Sequence, residues 1–247
     1  MTPDTTRSQA ERLARLYCEL WSSGDVNIVD QIFPPGAQHV AGNEQPWGEF
    51  ITALRKDFPN LSRPLEETYF DGDTLIIRTR MQGTHSGGPG YFNYPATGTR
   101  MDISAVTAFR VADGLLAEEC WSEYDLGSVE RSMASGVVRR YLEAGWGEGD
   151  EAVLKSHVAS GYVMHLDGKS ASVEGRRRLA GFIRDSRKSW DEGVFQVSYC
   201  EASGDWGETV HYRWAAGEEG EDRQPVLAQG TAAIRNGVVS EEWIHIV

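Results

Sequence analysis

The chain has 247 residues and six histidines, His39, His85, His157, His165, His211 and His245. An imidazole beside a carboxylate can move a proton to or from carbon or oxygen near neutral pH, a service typically worth about 10²–10⁴-fold in rate. In the first half, His39 follows a short helical segment and His85 ends a strand-like run. Glu123 and Asp125 lie two residues apart, so they share one face of a strand, and deep burial would raise such a carboxyl toward the working range. Each has a structural alternative: His39 could hydrogen-bond the chain after its helix, and His85 could be a turn residue beside Gly87-Gly88. Asp125 could be the N-cap of a terminal turn at Leu126–Arg131. In the second half, His165, His211 and Glu242 could form another acid/base group. Glu242 and His245 are three apart, so strand alternation sends them to opposite faces unless a bulge intervenes. Three histidines without a short-spaced motif do not make a zinc site. No Gly-x-Gly-x-x-Gly opens a helix, and neither a phosphate loop nor a Gly-x-Ser-x-Gly elbow occurs.

These candidates sit on a duplicated frame. Leu16-Tyr17-Cys18-Glu19-Leu20-Trp21-Ser22-Ser23-Gly24-Asp25 is answered by Tyr141-Leu142-Glu143-Ala144-Gly145-Trp146-Gly147-Glu148-Gly149-Asp150, with both the Trp and the Gly-Asp landmarks 125 positions apart. Ala108-Phe109-Arg110 and Asp113-Gly114 are answered by Ala233-Ile234-Arg235 and Asn236-Gly237 in the same order. Landmarks in one order at nearly one spacing predict two copies of one fold, residues 1–131 and 132–247. His165 then stands at the place of His39, and His211 replaces an isoleucine of the first copy's Leu75-Ile76-Ile77-Arg78-Thr79 strand.

Each copy reads as helices followed by strands. An apolar stripe at Ala10, Leu13, Ala14, Leu16, Tyr17 and Leu20 predicts a helix over 6–22, stopped by Gly24. Short helices follow over 26–33 and 50–58. Period-two runs predict strands over 66–70, 74–82, 100–111 and 115–124, with hairpin turns at Asp71-Gly72-Asp73 and Asp113-Gly114. In the second copy, helices are expected over 136–145, 150–158 and 174–189, and strands over 193–201, 208–216, 225–235 and 238–246. Helices first and antiparallel strands afterwards mean an α+β protein.

Composition excludes several classes. With 24 Lys+Arg against 37 Asp+Glu the net charge is -13, which argues against a phosphate backbone as partner. The one dense basic run, Arg176-Arg177-Arg178, continues at helical spacing as a solvated helix face. No stretch approaches the ~20 apolar residues of a membrane span, and no signal peptide is evident at the start. Three distant cysteines suit neither a disulfide framework nor a paired zinc site, so a reducing cytoplasm is the expected setting.

Gly83-Thr84-His85-Ser86-Gly87, Pro95-Ala96-Thr97-Gly98-Thr99-Arg100, Phe109-Arg110-Val111-Ala112-Asp113-Gly114 and Trp121-Ser122-Glu123-Tyr124-Asp125-Leu126-Gly127 resemble the SnoaL-like polyketide cyclase family. The resemblance covers nearly all of residues 6–131 and is weaker over 136–247, which lacks the Gly-Thr-His-x-Gly segment and the tail acid. It implies two tandem cone-shaped α+β barrels of the nuclear transport factor 2 type, each with a deep apolar pocket. It also implies a cofactor-free enzyme that cyclises or isomerises a hydrophobic polyketide-like intermediate. His39 and Asp125 would share the acid/base work, with His85 and Glu123 orienting the substrate. Trp47, Tyr69, Tyr91 and Trp121 would line the first pocket, and His165, His211 and Glu242 the second. The alternatives are epoxide opening by carboxyls drawn from Asp102, Glu123 and Asp125, or a binding module without chemistry. Single-domain members pair through their sheets, so a tandem chain could satisfy that pairing internally as a pseudo-twofold monomer. The loop Gly87–Pro95 carries three aromatics, and could form a lid or an immobile hairpin packed on the other domain.

Overall fold

The protein is described here by a computed structural model covering residues 3–39, 45–167, 172–188, 190, 194–217 and 225–246. It divides into two compact units: Met1–Phe92 with Arg100–Leu126, and Asn93–Thr99 with Gly127–Val247.

In the first unit, α1 (Pro3–Ser23) buries Ala10, Leu13, Ala14, Tyr17, Leu20 and Trp21 along one stripe. Gly24 ends it in the left-handed region at φ +73°, a conformation a Cβ disfavours. A 3-10 turn (Val26–Ile28) begins at Asp25, whose carboxylate accepts from the Asn27 backbone amide at 3.1 Å. It leads into the single turn α2 (Val29–Ile32). The two-residue strands β1 (Gln38–His39) and β2 (Gln45–Pro46) pair antiparallel, and α3 (Trp47–Asp57) follows. Four antiparallel strands complete the unit in the order β3 (Leu65–Asp71), β4 (Thr74–Thr84), β5 (Arg100–Ala112), β6 (Leu115–Tyr124). Alternation on β4 turns Leu75, Ile77, Thr79 and Met81 into the core, and leaves Arg78 and Arg80 on the outer face with Glu66, Glu67 and Asp102. Two register shifts between β5 and β6 bend the sheet.

The second unit opens with α4 (Leu126–Arg140), which runs into a π-helical stretch, Tyr141–Glu148. α5 (Glu151–His157) starts on Asp150, whose carboxylate accepts from the Ala152 and Val153 amides. Then come β7 (Val158–Leu166), β8 (Val173–Glu174), α6 (Arg176–Arg187), β9 (Phe195–Ser203), β10 (Thr209–Ala216), β11 (Val226–Arg235) and β12 (Val238–Ile246). The sheet order is β8-β7-β12-β11-β10-β9, antiparallel except for the parallel pair β7/β12. The helix-then-strand reading matches most of these elements, but it starts α4 ten residues late, at 136, and omits the two-residue strands β1, β2 and β8. It misses β7, because Ala159-Ser160-Gly161 breaks the β-branched run that would mark a strand. Among the described residues no helix is long and apolar enough to cross a membrane.

Candidate active site

Helix α3 and the end of α1 close the first unit's sheet into a cone, and the cone is filled with rings. Trp47 stacks on Phe33 at 4.6 Å, and Trp21 packs edge-on to Phe50 at 5.4 Å. His39 lies within this stack, 1% exposed, with its ring flat on Phe50 at 3.8 Å and edge-on to Trp47 at 4.6 Å. Its elements explain the placement: β1 turns Gln38 outward and His39 inward, and α3 presents Trp47 and Phe50 three residues apart on one face to receive it. The remaining hollow is lined by His39, Trp21, Phe50, Tyr91, Phe92 and Tyr124, with Leu54, Met81, Met101 and Leu126, and encloses about 10 Å³. That is room for about one water. The deep pocket implied by the resemblance is therefore closed here by aromatic side chains.

Beneath the hollow lies a buried cation. Arg63, wholly buried, donates from Nε to Thr79 Oγ1 at 2.9 Å, from Nη1 to the Tyr17 hydroxyl at 2.9 Å and from Nη2 to Thr107 Oγ1 at 3.1 Å. Its guanidinium carbon sits 4.2 Å from the Trp21 ring centre, a desolvated cation–π contact. Thr107 Oγ1 and the Tyr124 hydroxyl are 3.2 Å apart, Tyr124 donates to Ser122 Oγ at 3.2 Å, and Ser122 donates to Glu119. Three hydroxyls thus join the buried guanidinium to the half-buried carboxylate of Glu119, which answers its charge at a distance. Burial, opposed in part by Arg63, pushes the Tyr17 phenol well above its ordinary value, so Tyr17 stays a neutral acceptor.

His85 is fully buried but lies outside the lining of the hollow. Its Nε2 is 3.8 Å from Asp57 Oδ1. Asp57, also fully buried at the end of α3, accepts from the Gly90 amide at 2.8 Å and the Phe92 amide at 3.0 Å. A Cβ at Gly90 would collide with the Ala53 carbonyl oxygen, and one at Gly87 with that of Lys56. The glycines therefore serve close approach to α3, and the segment 87–92 is pinned against the helix, while Asn93–Thr99 clusters with the second unit. Tyr91 is held by the backbone on both sides, with its half-buried ring 5.3 Å from Phe50.

Alternation on β6 decides the fate of the other candidates. Leu116, Ser122 and Tyr124 face inward, so Glu123 and Asp125 share a face as expected, but it is the exposed one. Trp121, 50% exposed, lies there too. Asp125 stands immediately before α4, the place its type suits as a cap. The structure does not bring Glu123 or Asp125 to His39. Tyr69 on edge strand β3 is 62% exposed. Asp102 is exposed and paired with Arg80 at 2.5 Å, which holds its carboxyl below the usual range. The three carboxyls considered for epoxide opening therefore do not converge in the cavity.

The second unit splits its candidates between two faces. His165 and His211 point outward with Trp243, Tyr199 and His245 around an open depression of about 760 Å³. His165 stacks on Trp243 at 5.3 Å and its Nε2 is 2.9 Å from Glu241 Oε1. His211 contacts Thr231 Oγ1 at 3.1 Å and Ser203 Oγ at 3.3 Å. Glu242 points inward and is fully buried. It accepts from the hydroxyls of Tyr141 (2.9 Å), Tyr162 and Tyr212, and the Trp146 indole donates to Tyr141 at 2.7 Å. Burial raises the Glu242 carboxyl against the pull of the three phenols. Glu242 does not meet His165 and His211, because the two histidines take the outward phase of their strands and Glu242 the inward one. No group of three or more His, Cys, Asp or Glu able to hold a metal occurs among the described residues.

Sequence reasoning missed Arg63, Asp57, Tyr124 and Glu119. The signals were present only weakly: an arginine in the loop after α3, and a phenol between two acids that drew the attention.

Residues 11–133 match the family described as SnoaL-like polyketide cyclase. No curated protein sequence matches the chain. Among solved structures, TsrD from Streptomyces laurentii is 25% identical, with a TM-score of 0.45, over 51% of this chain and 95% of its own. A putative SnoaL-like polyketide cyclase from Jannaschia sp. CCS1 is also 25% identical, with a TM-score of 0.43, over 49% and 89%. An LEH-like epoxide hydrolase from M. tuberculosis is 19% identical, with a TM-score of 0.37, over 48% and 85%.

Proposed function

Because the chain belongs, through residues 11–133, to the SnoaL-like polyketide cyclase family, we propose that its first unit cyclises or isomerises a hydrophobic polyketide-like intermediate by proton transfer. One observation carries the reading: His39 is buried inside an otherwise apolar, ring-lined hollow that also presents Tyr124. A neutral imidazole has one donor and one acceptor nitrogen, enough to take a proton from a carbon next to a carbonyl and return it to oxygen. Tyr124 hydrogen-bonds the oxygen on which charge develops by turning its single proton from Ser122 Oγ to the substrate. The relay from Arg63 through Thr107 fixes its hydroxyl, and Ser122 with Glu119 fixes the other end. The walls exclude water, which strengthens both interactions.

A substrate must displace rings to enter. Tyr91 is the gate that the geometry supports, because its ring is half-buried while the amides on either side of it are tied to Asp57. Rotation about its side-chain bonds opens the mouth without moving the loop. Residues 132–247 then act as a diverged second copy, whose interior is occupied by the Glu242 cluster.

The test is ring closure of tricyclic aromatic keto esters bearing a side-chain ketone, followed by absorbance. The wild type should accelerate closure. His39→Ala should lose at least about 100-fold, Tyr124→Phe should lower kcat with KM little changed, and Asp125→Asn should be unaffected. Full activity in His39→Ala would overturn the reading.

A further inference from the structure

We propose that the second unit carries a separate binding site for a planar apolar carboxylate, at the C-terminal end of α6. A cavity of about 390 Å³ lies there, within the size range of small-molecule sites, roughly 300–1,000 Å³. Its apolar wall is Leu154, Ile183, Trp190 and Phe195, and its rim carries Arg184, Arg187 and Lys188. Trp190 lies near-parallel to Trp146 at 6.0 Å, so its ring is held in place.

The inference rests on what the first unit does with the corresponding cation. Gly24 and Gly149 both end their helices in the left-handed region, at φ +73° and +75°, each three residues after a buried tryptophan. Against Gly24 lies Arg55, and against Gly149 lies Arg187, each so close that a Cβ would collide with the side chain. In the first unit the guanidinium is spent on the backbone: Arg55 donates from Nη1 to the carbonyls of Trp21 (3.0 Å), Ser22 (2.8 Å) and Leu61 (3.0 Å), and from Nη2 to that of Pro59 (3.0 Å). Arg187 is half-buried in the same place, and among the described residues its guanidinium makes no hydrogen bond or ion pair. A guanidinium offers five donors in a fixed fork that matches a carboxylate, and leaving them unmet in a partly dry site is costly. Lys188 is already committed to Asp185 at 2.7 Å, and Glu151 is the one carboxylate among the described lining residues. Arg184 and Arg187 therefore hold charge to spare beside an aromatic wall. A ring carboxylate satisfies both, with its plane against Trp190 and Phe195 and its oxygens on Arg187.

Calorimetric titration of the full chain with 2-naphthoate and with the neutral 2-naphthalenemethanol tests this. Saturable naphthoate binding is expected with Kd on the order of 1 mM or tighter, and at least tenfold weaker binding of the alcohol. Arg187→Gln should weaken naphthoate at least tenfold. Ala180→Trp, which fills the cavity from α6, should abolish binding while far-UV circular dichroism stays native, and it serves should Arg187→Gln fail to fold. Asp191 and Glu192 follow Trp190 in the chain, outside the described residues, so Asp191→Asn/Glu192→Gln is titrated as well. Binding that appears only in that double variant would mean the chain supplies its own anion, and would overturn the proposal. So would equal affinity for the alcohol, or binding indifferent to both Arg187→Gln and Ala180→Trp.

Discussion

Replacing Asp57 with alanine separates a clamp from a catalyst. The buried carboxylate accepts from the Gly90 and Phe92 amides at 2.8 and 3.0 Å. Removing it leaves two donors without an acceptor, at about 1–3 kcal/mol each, or about 2–6 kcal/mol together. Since 1.36 kcal/mol is a factor of ten, exchange of those two amides with deuterated solvent should speed up by at least about 30-fold. Amides of the central strands β4 and β5, which report global opening, should change less. Asp57→Asn keeps one carbonyl oxygen, so only one of the two amides should be released, and the effect should fall to about half. The assay is residue-resolved hydrogen exchange of the full chain under native conditions. If both amides exchange at the wild-type rate in Asp57→Ala, the carboxylate does not hold this segment, and the argument that Tyr91 alone gates the cavity fails with it.

Other expectations follow from burial. Glu242 titrates at a higher pH folded than unfolded, so the folded state holds its proton longer; its contribution is present below the unfolded value and is lost as pH rises through the raised one. Urea titrations from pH 4 upward should show Glu242→Gln flattening that decline; an unchanged slope refutes the assignment. Burial pushes the Cys18 and Cys200 thiols up to about 11, while Cys120 is exposed. A disulfide reagent at neutral pH should modify one thiol per native chain and three after unfolding. Tyr91→Ala should raise the affinity of unit 1 for an apolar aromatic probe at least severalfold by opening the hollow, with a stability cost of about 1–3 kcal/mol seen as a lower urea midpoint.

Most of the architecture was legible because it follows from periodicity. The stripe of α1, the αL stop at Gly24 and the alternation of β4 through β6 each have a local cause. The site was less legible because strand phase matters more than residue type. Glu123 and Asp125 attract attention as acids, yet they share the outward phase of β6, while the phenol between them faces the core. His85 sits in a family-like motif but is spent on α3 beside Asp57. Only the family resemblance points His39 inward; the Trp47 and Phe50 rings that receive it are visible in the structure alone. Arg63 escaped notice because an isolated arginine in a loop has no periodic signature, and its burial depends on hydroxyls brought from β4, β5 and α1. In the second unit, alternation sets Glu242 and His245 on opposite faces without saying which is inside, and the three tyrosines that hold Glu242 come from elements far apart in sequence.

The central claim is that His39 exchanges a proton with a carbon acid inside the first unit. The most direct measurement is proton NMR of an aromatic β-keto ester in deuterated water, following loss of the signal from the hydrogen next to the carbonyl. The account predicts exchange that depends on the protein, falls at least about 100-fold in His39→Ala and persists in Asp125→Asn. Protein-dependent exchange that is indifferent to His39 and abolished in Asp125→Asn would contradict it.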